Sequence, residues 1–185
     1  HSRDYILDYG KDTNSSNHNA TWVGSGKIGG AYDFFHDYME FNTPNVMSSP
    51  ESDFTTVSVM AWINPRSLTD AGDGNYIVAK GGMSNGFDLL LNSDEAAINS
   101  NSTRVDMNDE ASSCQANNPI NISLNNWTHV AFTYDMANIR IYHDGKLTHT
   151  EACALNPIVI GQDVAWYIGS SSTTSGYFDG LLDEV

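Results

Sequence analysis

Basic side chains are scarce in this sequence. It has 8 Lys and Arg against 23 Asp and Glu, which gives its 185 residues a formal net charge of −15. A surface this acidic repels phosphate groups electrostatically. We therefore expect neither a nucleic acid nor an anionic membrane surface among the partners of this protein.

Long apolar runs and helical patterns are also missing. No segment approaches the roughly 20 consecutive apolar residues of a transmembrane helix, and no window keeps a helical period beyond about one turn. A parallel α/β sheet is excluded as well, because its strands need crossover connections that are usually helical. The sequence therefore predicts an all-β protein without direct insertion into a membrane.

Cysteine is nearly absent. Cys114 and Cys153 are the only two, and neither has a second Cys or a His at zinc-type spacing. In an oxidising compartment they predict one disulfide that closes a loop of about forty residues, and two buried thiols are the alternative. Five N-x-S/T sequons are compatible with a secreted glycoprotein, although so Asn-rich a sequence also produces them by chance. These sequons lie at Asn14, Asn19, Asn101, Asn121 and Asn126.

What the sequence does contain is short strands. Residues 127–135 place Val130, Phe132 and Tyr134 on one side of an extended chain. Residues 139–148 alternate similarly and include Asp144-Gly145, which favours a hairpin because both central positions of a type I′ turn need positive φ. Three antiparallel strands are predicted here. Others are predicted at 5–8, 31–35, 38–41, 55–63, 76–79, 87–91, 157–160, 165–169 and 180–185.

Polar and turn-forming residues predict the connections between these strands. Residues 11–21 are expected to form a long loop, and residues 31–35 and 38–41 a hairpin around His36-Asp37. From residue 92 to 121 the pattern weakens. We expect irregular structure there, with one or two poor strands.

Some residues within the predicted strands have expected roles of their own. Pro65 should end the strand that begins at Thr55, because proline cannot donate a ladder hydrogen bond. Trp62 and Trp127 are expected in the core. His129 is expected to be a hydrogen-bonded core histidine rather than a catalytic base.

The order and spacing of these segments resemble the laminin-G-like, concanavalin-A-like jelly rolls of large extracellular proteins. Residues 26–34 with 38–41 resemble the family's G-K-x-G-x-A-x-x-F…Y-V-x-[IV] hairpin, residues 54–65 its F-T-[IV]-S-x-W-[IV]-x-P strand, and residues 178–185 its closing strand. The departures are an inserted residue in 58–62 and a shortened tip at 35–37. The resemblance implies an antiparallel two-sheet jelly-roll sandwich. We expect residues 1–185 to form a single such domain, a piece of a longer extracellular protein with other domains.

The resemblance also implies a structural calcium ion. Asp8 and Asp183 match the positions from which related jelly rolls supply carboxylates, and Gly30 is a candidate carbonyl donor. Calcium takes six to eight oxygen ligands, so backbone carbonyls and water would complete the shell. The alternative is that Asp8 caps a turn and Asp183 makes a surface hydrogen bond.

Ligand-binding candidates come from the Asp-rich loops and from aromatic side chains. A second calcium that bridges to a ligand could use Asp37, Asp70, Asp73 or Asp163. Trp166, Tyr167 and Tyr177 could stack on the apolar face of a sugar. The alternative for these aromatic residues is burial in the core.

Catalysis has little support in the sequence. The E-x-D-x-E strand motif of jelly-roll glucanases is absent, and the histidines do not pair by spacing with a nucleophilic serine. We therefore expect a non-catalytic module, secreted or at the cell surface, that binds a glycan or a cell-surface protein in adhesion. The alternative is a structural spacer or assembly domain of a large surface protein or filament.

Overall fold

The computed structural model describes residues 14–42, 53–68, 74–80, 86–92, 101–109, 111–155, 158–159 and 165–185. All regular elements in these ranges are β-strands. They are β1 (Asn14–His18), β2 (Thr21–Val23), β3 (Ala31–Phe35), β4 (Tyr38–Asn42), β5 (Asp53–Phe54), β6 (Val57–Ser67), β7 (Asn75–Lys80), β8 (Gly86–Leu91), β9 (Ser102–Asn108), β10 (Ser113–Asn121), β11 (Thr128–Tyr134), β12 (Asn138–His143), β13 (Lys146–Ala152), β14 (Ile158–Val159), β15 (Trp166–Ile168) and β16 (Asp179–Asp183).

The strands form two large antiparallel sheets. Sheet 1 has the order β1-β4-β15-β7-β8-β9-β10, and sheet 2 has the order β13-β12-β11-β6-β16-β3-β2. Strands β14 and β5 form a separate pair. The predicted two-sheet antiparallel sandwich is thereby confirmed. In the part of the chain that the structure describes, there is no helix with the length and apolar character needed to cross a membrane.

The core lies between the two sheets. Along β11 the buried positions alternate with half-buried ones, so Val130, Phe132 and Tyr134 face inward as the sequence predicts. Phe87 of sheet 1 meets Phe132 of sheet 2 edge to face, with 5.6 Å between ring centroids. Such aromatic contacts across the two layers add to the apolar area that stabilises the sandwich.

The hairpin between β12 and β13 is also confirmed. Asp144 and Gly145 have φ angles of +48° and +75°, as a type I′ turn requires. The Asp144 carboxylate accepts a hydrogen bond of 3.0 Å from the His129 backbone N–H and so ties the turn to β11. Three consecutive strands of sheet 2 therefore follow directly from local sequence.

The predicted hairpin of β3 and β4 is wrong. Strand β3 pairs with β2 and β16 in sheet 2, whereas β4 pairs with β1 and β15 in sheet 1. The link crosses from one sheet to the other, with His36 at a φ of +58°. Both strands are amphipathic, and the core side chains Phe34 and Met39 line the same interior from opposite layers.

Pro65 does not end β6, which runs from Val57 to Ser67. Strand β11 begins at Thr128, opposite Ile63, so Pro65 lies beyond the end of that ladder and needs no N–H on that side. Its carbonyl accepts a hydrogen bond of 2.7 Å from the Asn125 N–H instead. The backbone N–H that proline lacks would therefore have had no partner in β11 at this position.

Other strand predictions need correction because pairing overrides local composition. Strand β1 lies in the predicted loop 11–21, and β9 and β10 are regular strands of sheet 1 in the region expected to be irregular. Trp62 lies on the outer face of sheet 2, with its ring centroid 5.2 Å from that of His129, and Trp127 is only half-buried. The strand predicted at residues 5–8 lies outside the described residues.

The two sheets are joined at one edge by a disulfide and a buried polar network. Cys114 of β10 is bonded to Cys153, just after β13, as the sequence predicts. His129, which the sequence predicts to be a hydrogen-bonded core histidine, is only half-buried; the buried histidine with ring contacts is His143. The His143 ring meets Thr103 and lies 2.9 Å from the Asn118 side-chain nitrogen, and burial lowers its pKa.

Candidate functional site

Strand alternation places two polar residues of β4 on the outer face of sheet 1. Met39 and Phe41 pack in the interior, so Tyr38 and Glu40 point the other way. On the neighbouring strand β15, Tyr167 lies directly opposite Glu40. Tyr38, Glu40 and Tyr167 are only partly buried, so this end of the outer face presents them to solvent.

Five aromatic rings, here called the aromatic platform, cluster on this outer face and at its end: His18, His36, Tyr38, Tyr167 and Tyr177. His18 stacks on Tyr38 with 4.2 Å between centroids, and Tyr38 lies 6.0 Å from Tyr167 and 6.4 Å from Tyr177. His36 extends the row at 5.5 Å from Tyr177. None of the five is buried. Such a surface matches the apolar face of a sugar ring.

Carboxylates lie beside the aromatic platform. Glu40 Oε2 is 3.5 Å from His18 Nε2. Burial, followed by the charge of Glu40, raises the pKa of both Tyr38 and Tyr167. Asp37 is the residue after His36. Its carboxylate accepts a hydrogen bond of 3.1 Å from the Phe35 N–H, which holds it in place. The platform thus combines apolar ring faces with acceptors for hydroxyl groups.

A second group of charges lies farther across sheet 1, around the buried residues Asp88 and Asp106. Asp88 of β8 is directly opposite Asp106 of β9. Arg104 donates to both oxygens of Asp106, at 2.9 Å and 2.7 Å, and Gln115 donates to it at 3.2 Å. Asp88 is 2% exposed and its Oδ1 has no hydrogen-bond partner. Burial and then the charge of Asp106 raise the pKa of Asp88 to about 7.

Two of the three residues predicted to bind calcium, Gly30 and Asp183, meet at the loop between β2 and β3. Asp183 Oδ2 accepts a hydrogen bond of 2.8 Å from the Ile28 N–H. A Cβ atom on Gly26 would lie 2.7 Å from the Gly30 carbonyl oxygen and 2.8 Å from Asp183 Oδ2. Both oxygens therefore face the same small space, which a side chain at residue 26 would fill. Asp8 is outside the described residues, among which no group of three His, Cys, Asp or Glu could hold a metal ion.

An apolar cleft of about 250 Å³ opens beside this loop. Its walls come from both sheets and include Trp22, Phe34, Met39 and Ile168, with Asp183 at one side. The ring of Trp22 lies where a Cβ on Gly30 would be, at 2.5 Å, so only glycine fits there. The cleft offers few polar partners for the hydroxyl groups of a sugar.

The other predicted ligand-binding residues are dispersed. Tyr177 belongs to the aromatic platform, where its hydroxyl donates to the Thr173 carbonyl at 2.9 Å. Trp166 points into the interior, 5.4 Å from Phe87 between centroids, so its ring does not reach the platform. Asp70, Asp73 and Asp163 lie outside the described residues.

The sequons differ in accessibility. Asn19, Asn121 and Asn126 are exposed, whereas Asn101 is half-buried and its side-chain nitrogen donates to the Ile122 carbonyl at 3.4 Å. Asn14 begins β1. Exposed asparagines are the more accessible to glycosylation.

His18, Tyr38 and Glu40 were not predicted as site residues. A signal for two of them is in the sequence, because period-two alternation in Tyr38-Met-Glu-Phe41 already separates Tyr38 and Glu40 from the apolar Met39 and Phe41. His18 could not be found in this way, since its strand lies in a polar segment.

Solved structures share this fold at low sequence identity. A protein from Bacteroides ovatus ATCC 8483, to which carbohydrate binding is attributed, is 21% identical with a TM-score of 0.65, over 84% of this chain and 42% of that chain. Domain 4 of the extracellular arabinanase AbnA from Geobacillus stearothermophilus, in complex with arabinotriose, is 18% identical with a TM-score of 0.65, over 92% of this chain and 79% of that chain. Botulinum neurotoxin type C, whose uptake into cells depends on two ganglioside molecules, is 16% identical with a TM-score of 0.63, over 92% of this chain and 39% of that chain.

This chain therefore spans less than half the length of the first and third of these proteins. No curated protein matches its sequence significantly. A family model, however, matches residues 35–185, which is most of the chain. With the two antiparallel sheets described above, this match shows that the chain belongs to the concanavalin A-like lectin/glucanases superfamily.

Proposed function

We propose that this chain is a secreted carbohydrate-binding module whose ligand stacks on the aromatic platform. The observation that carries the proposal is the row of five unburied aromatic rings beside Glu40 on the outer face of sheet 1. Sugar rings present an apolar face to aromatic side chains, and their hydroxyl groups donate to carboxylates. A disulfide between Cys114 and Cys153 supports an oxidising, extracellular setting.

The placement of the platform on paired strands supports a binding role. Tyr38 and Tyr167 lie on adjacent strands of sheet 1, and Tyr177 packs beside Tyr38. Because the backbone is already ordered, little conformational entropy is lost when a ligand stacks on these rings. Similar folds occur in a protein with attributed carbohydrate binding and in a domain crystallised with arabinotriose. We infer that the natural ligand is a glycan on a cell surface, bound in adhesion.

The test is glycan binding by variants of the platform. Tyr38→Ala and Tyr167→Ala should each weaken binding by about threefold to tenfold, since an aromatic contact contributes about 0.5–1.5 kcal/mol beyond its buried area. Tyr142→Ala is the matched control, because Tyr142 is a half-buried tyrosine on sheet 2. A glycan array followed by calorimetry on the best neutral polysaccharide measures the effect.

Three outcomes would count against the proposal. If no glycan binds, the chain is better explained as a structural spacer or assembly domain. If Tyr142→Ala weakens binding as much as Tyr38→Ala does, the ligand lies elsewhere. Hydrolysis of a bound glycan that is lost in Asp88→Asn would show catalysis and contradict a role in binding alone.

We also propose a structural calcium ion between Asp183 and the Gly30 carbonyl, with Asp8 as a further ligand. The two described oxygens facing the space beside Gly26 support the site, and the remaining ligands would be backbone carbonyls and water. EDTA should lower the melting temperature of the wild type and leave that of Asp183→Asn unchanged. An equal melting temperature of the wild type with EDTA and with added calcium would contradict this proposal.

A further inference from the structure

We propose that the aromatic platform takes uncharged glycans and rejects those that carry carboxylate, sulfate or phosphate groups, with Glu40 as the residue that sets this preference. The inference rests on the proposed function and adds the chemical class of the ligand. It comes from the charges around the platform.

The charges at the platform are negative. The carboxylate of Glu40 lies 3.5 Å from His18, and Tyr167 is directly opposite Glu40 on the neighbouring strand. After burial, the charge of Glu40 is the next cause that raises the pKa of Tyr38 and of Tyr167. Asp37 adds a second carboxylate at the His36 end. A sugar hydroxyl can donate to these oxygens, whereas an anionic substituent in the same place meets like charge.

The six described Lys and Arg side chains make their contacts elsewhere. Lys27 lies over Trp62 on sheet 2, and Lys80 lies inside, over Trp166. The arginines are paired with carboxylates away from the platform: Arg66 with Asp33 and Asp179, Arg104 with Asp106, and Arg140 with Asp135. Lys146 is at the start of β13, on the far edge of sheet 2. Within the described ranges, no lysine or arginine contact that would neutralise Glu40 is found.

The pH and the EDTA in the test are chosen to remove positive charge that could offset Glu40. The titrations are run at pH 8, where histidine side chains are in general uncharged. EDTA removes calcium, which could otherwise bridge an anionic glycan to a carboxylate. Under these conditions the sign of the local charge comes from Glu40 and Asp37.

The experiment compares neutral polysaccharides with their chemically sulfated derivatives. Arabinan, galactan, xylan and laminarin are each titrated by calorimetry at pH 8 in EDTA, at moderate ionic strength. The wild type should bind the neutral form of its best ligand at least about fivefold more tightly than the sulfated form, as expected for one like-charge contact in water. Glu40→Gln should reduce that ratio by at least about threefold.

The control is Glu151→Gln, a variant on sheet 2 where Glu151 lies 3.4 Å from His149. It should leave the ratio unchanged, and circular dichroism should show that both variants are folded. Equal or tighter binding of the sulfated form by the wild type would overturn the inference and leave glycan binding intact. Discrimination that Glu40→Gln does not reduce would overturn the role of Glu40. If neither form of any glycan binds, the proposed function fails, and the inference fails with it.

Discussion

Replacing Asp88 by asparagine should stabilise this fold at alkaline pH and not at acid pH. The Asp88 carboxyl is 2% exposed, and its Oδ1 has no hydrogen-bond partner. Burial, followed by the charge of Asp106, raises its pKa from 3.8 to about 7. Between these two pH values the folded chain keeps a proton that the unfolded chain has released. The stability from this proton is therefore fully present below pH 3.8 and is lost as the pH rises through about 7.

The size of the effect follows from the shift. About 3 pKa units at roughly 1.4 kcal/mol each set a ceiling of about 4 kcal/mol on the stability that the wild type loses between pH 4 and pH 8. Asparagine keeps the shape of the side chain and cannot ionise, so Asp88→Asn escapes this loss. We expect it to be no more stable than the wild type at pH 4 and more stable by about 2–4 kcal/mol at pH 8.

Urea denaturation followed by tryptophan fluorescence at pH 4, 6 and 8 measures these free energies of unfolding. Glu151→Gln is the control, because it removes a partly exposed carboxylate of sheet 2 that lies far from Asp88 in the strand order. If Asp88→Asn follows the same pH course as the wild type, Asp88 is ionised inside the fold and the reasoning is refuted.

Two further predictions concern the joined edge of the sandwich. Cys114 and Cys153 are separated by 39 residues, so Cys114→Ser with Cys153→Ser should lower the free energy of unfolding by about 4 kcal/mol on the loop-entropy estimate, and an unchanged urea midpoint would contradict it. Burial lowers the pKa of His143, so the stability that its neutral ring provides is present above about pH 6.5 and is lost as the pH falls through the folded-state pKa. His143→Leu should therefore show a shallower fall in the free energy of unfolding between pH 7 and pH 5 than the wild type does, and equal slopes would argue against a buried neutral His143.

Local patterns were sufficient for the strands whose partners are close in sequence. The turn at Asp144-Gly145 fixes the pairing of β12 with β13 because its backbone conformation permits little else. Alternation along β11 likewise identifies the residues of the core. Where the partner is distant, local sequence misleads. The polar segment of β1 is a strand only because β4 supplies its hydrogen bonds, from Asn42 opposite Asn14 to Tyr38 opposite His18.

Sheet membership explains both the wrong hairpin and the overlooked site. Consecutive amphipathic runs such as β3 and β4 can pair with each other or face each other across a core, and their alternation is the same in both cases. Only the partners of β4, namely β1 and β15, decide between them. The same pairing forms the aromatic platform. Because β4 belongs to sheet 1, His18 and Tyr167 are both neighbours of Tyr38, although His18 and Tyr167 are 149 positions apart in the chain. The candidate site therefore depends on two features. Strand alternation, which is visible in the sequence, turns its residues outward. The order of the strands in the sheet, which local sequence does not predict, brings those residues together.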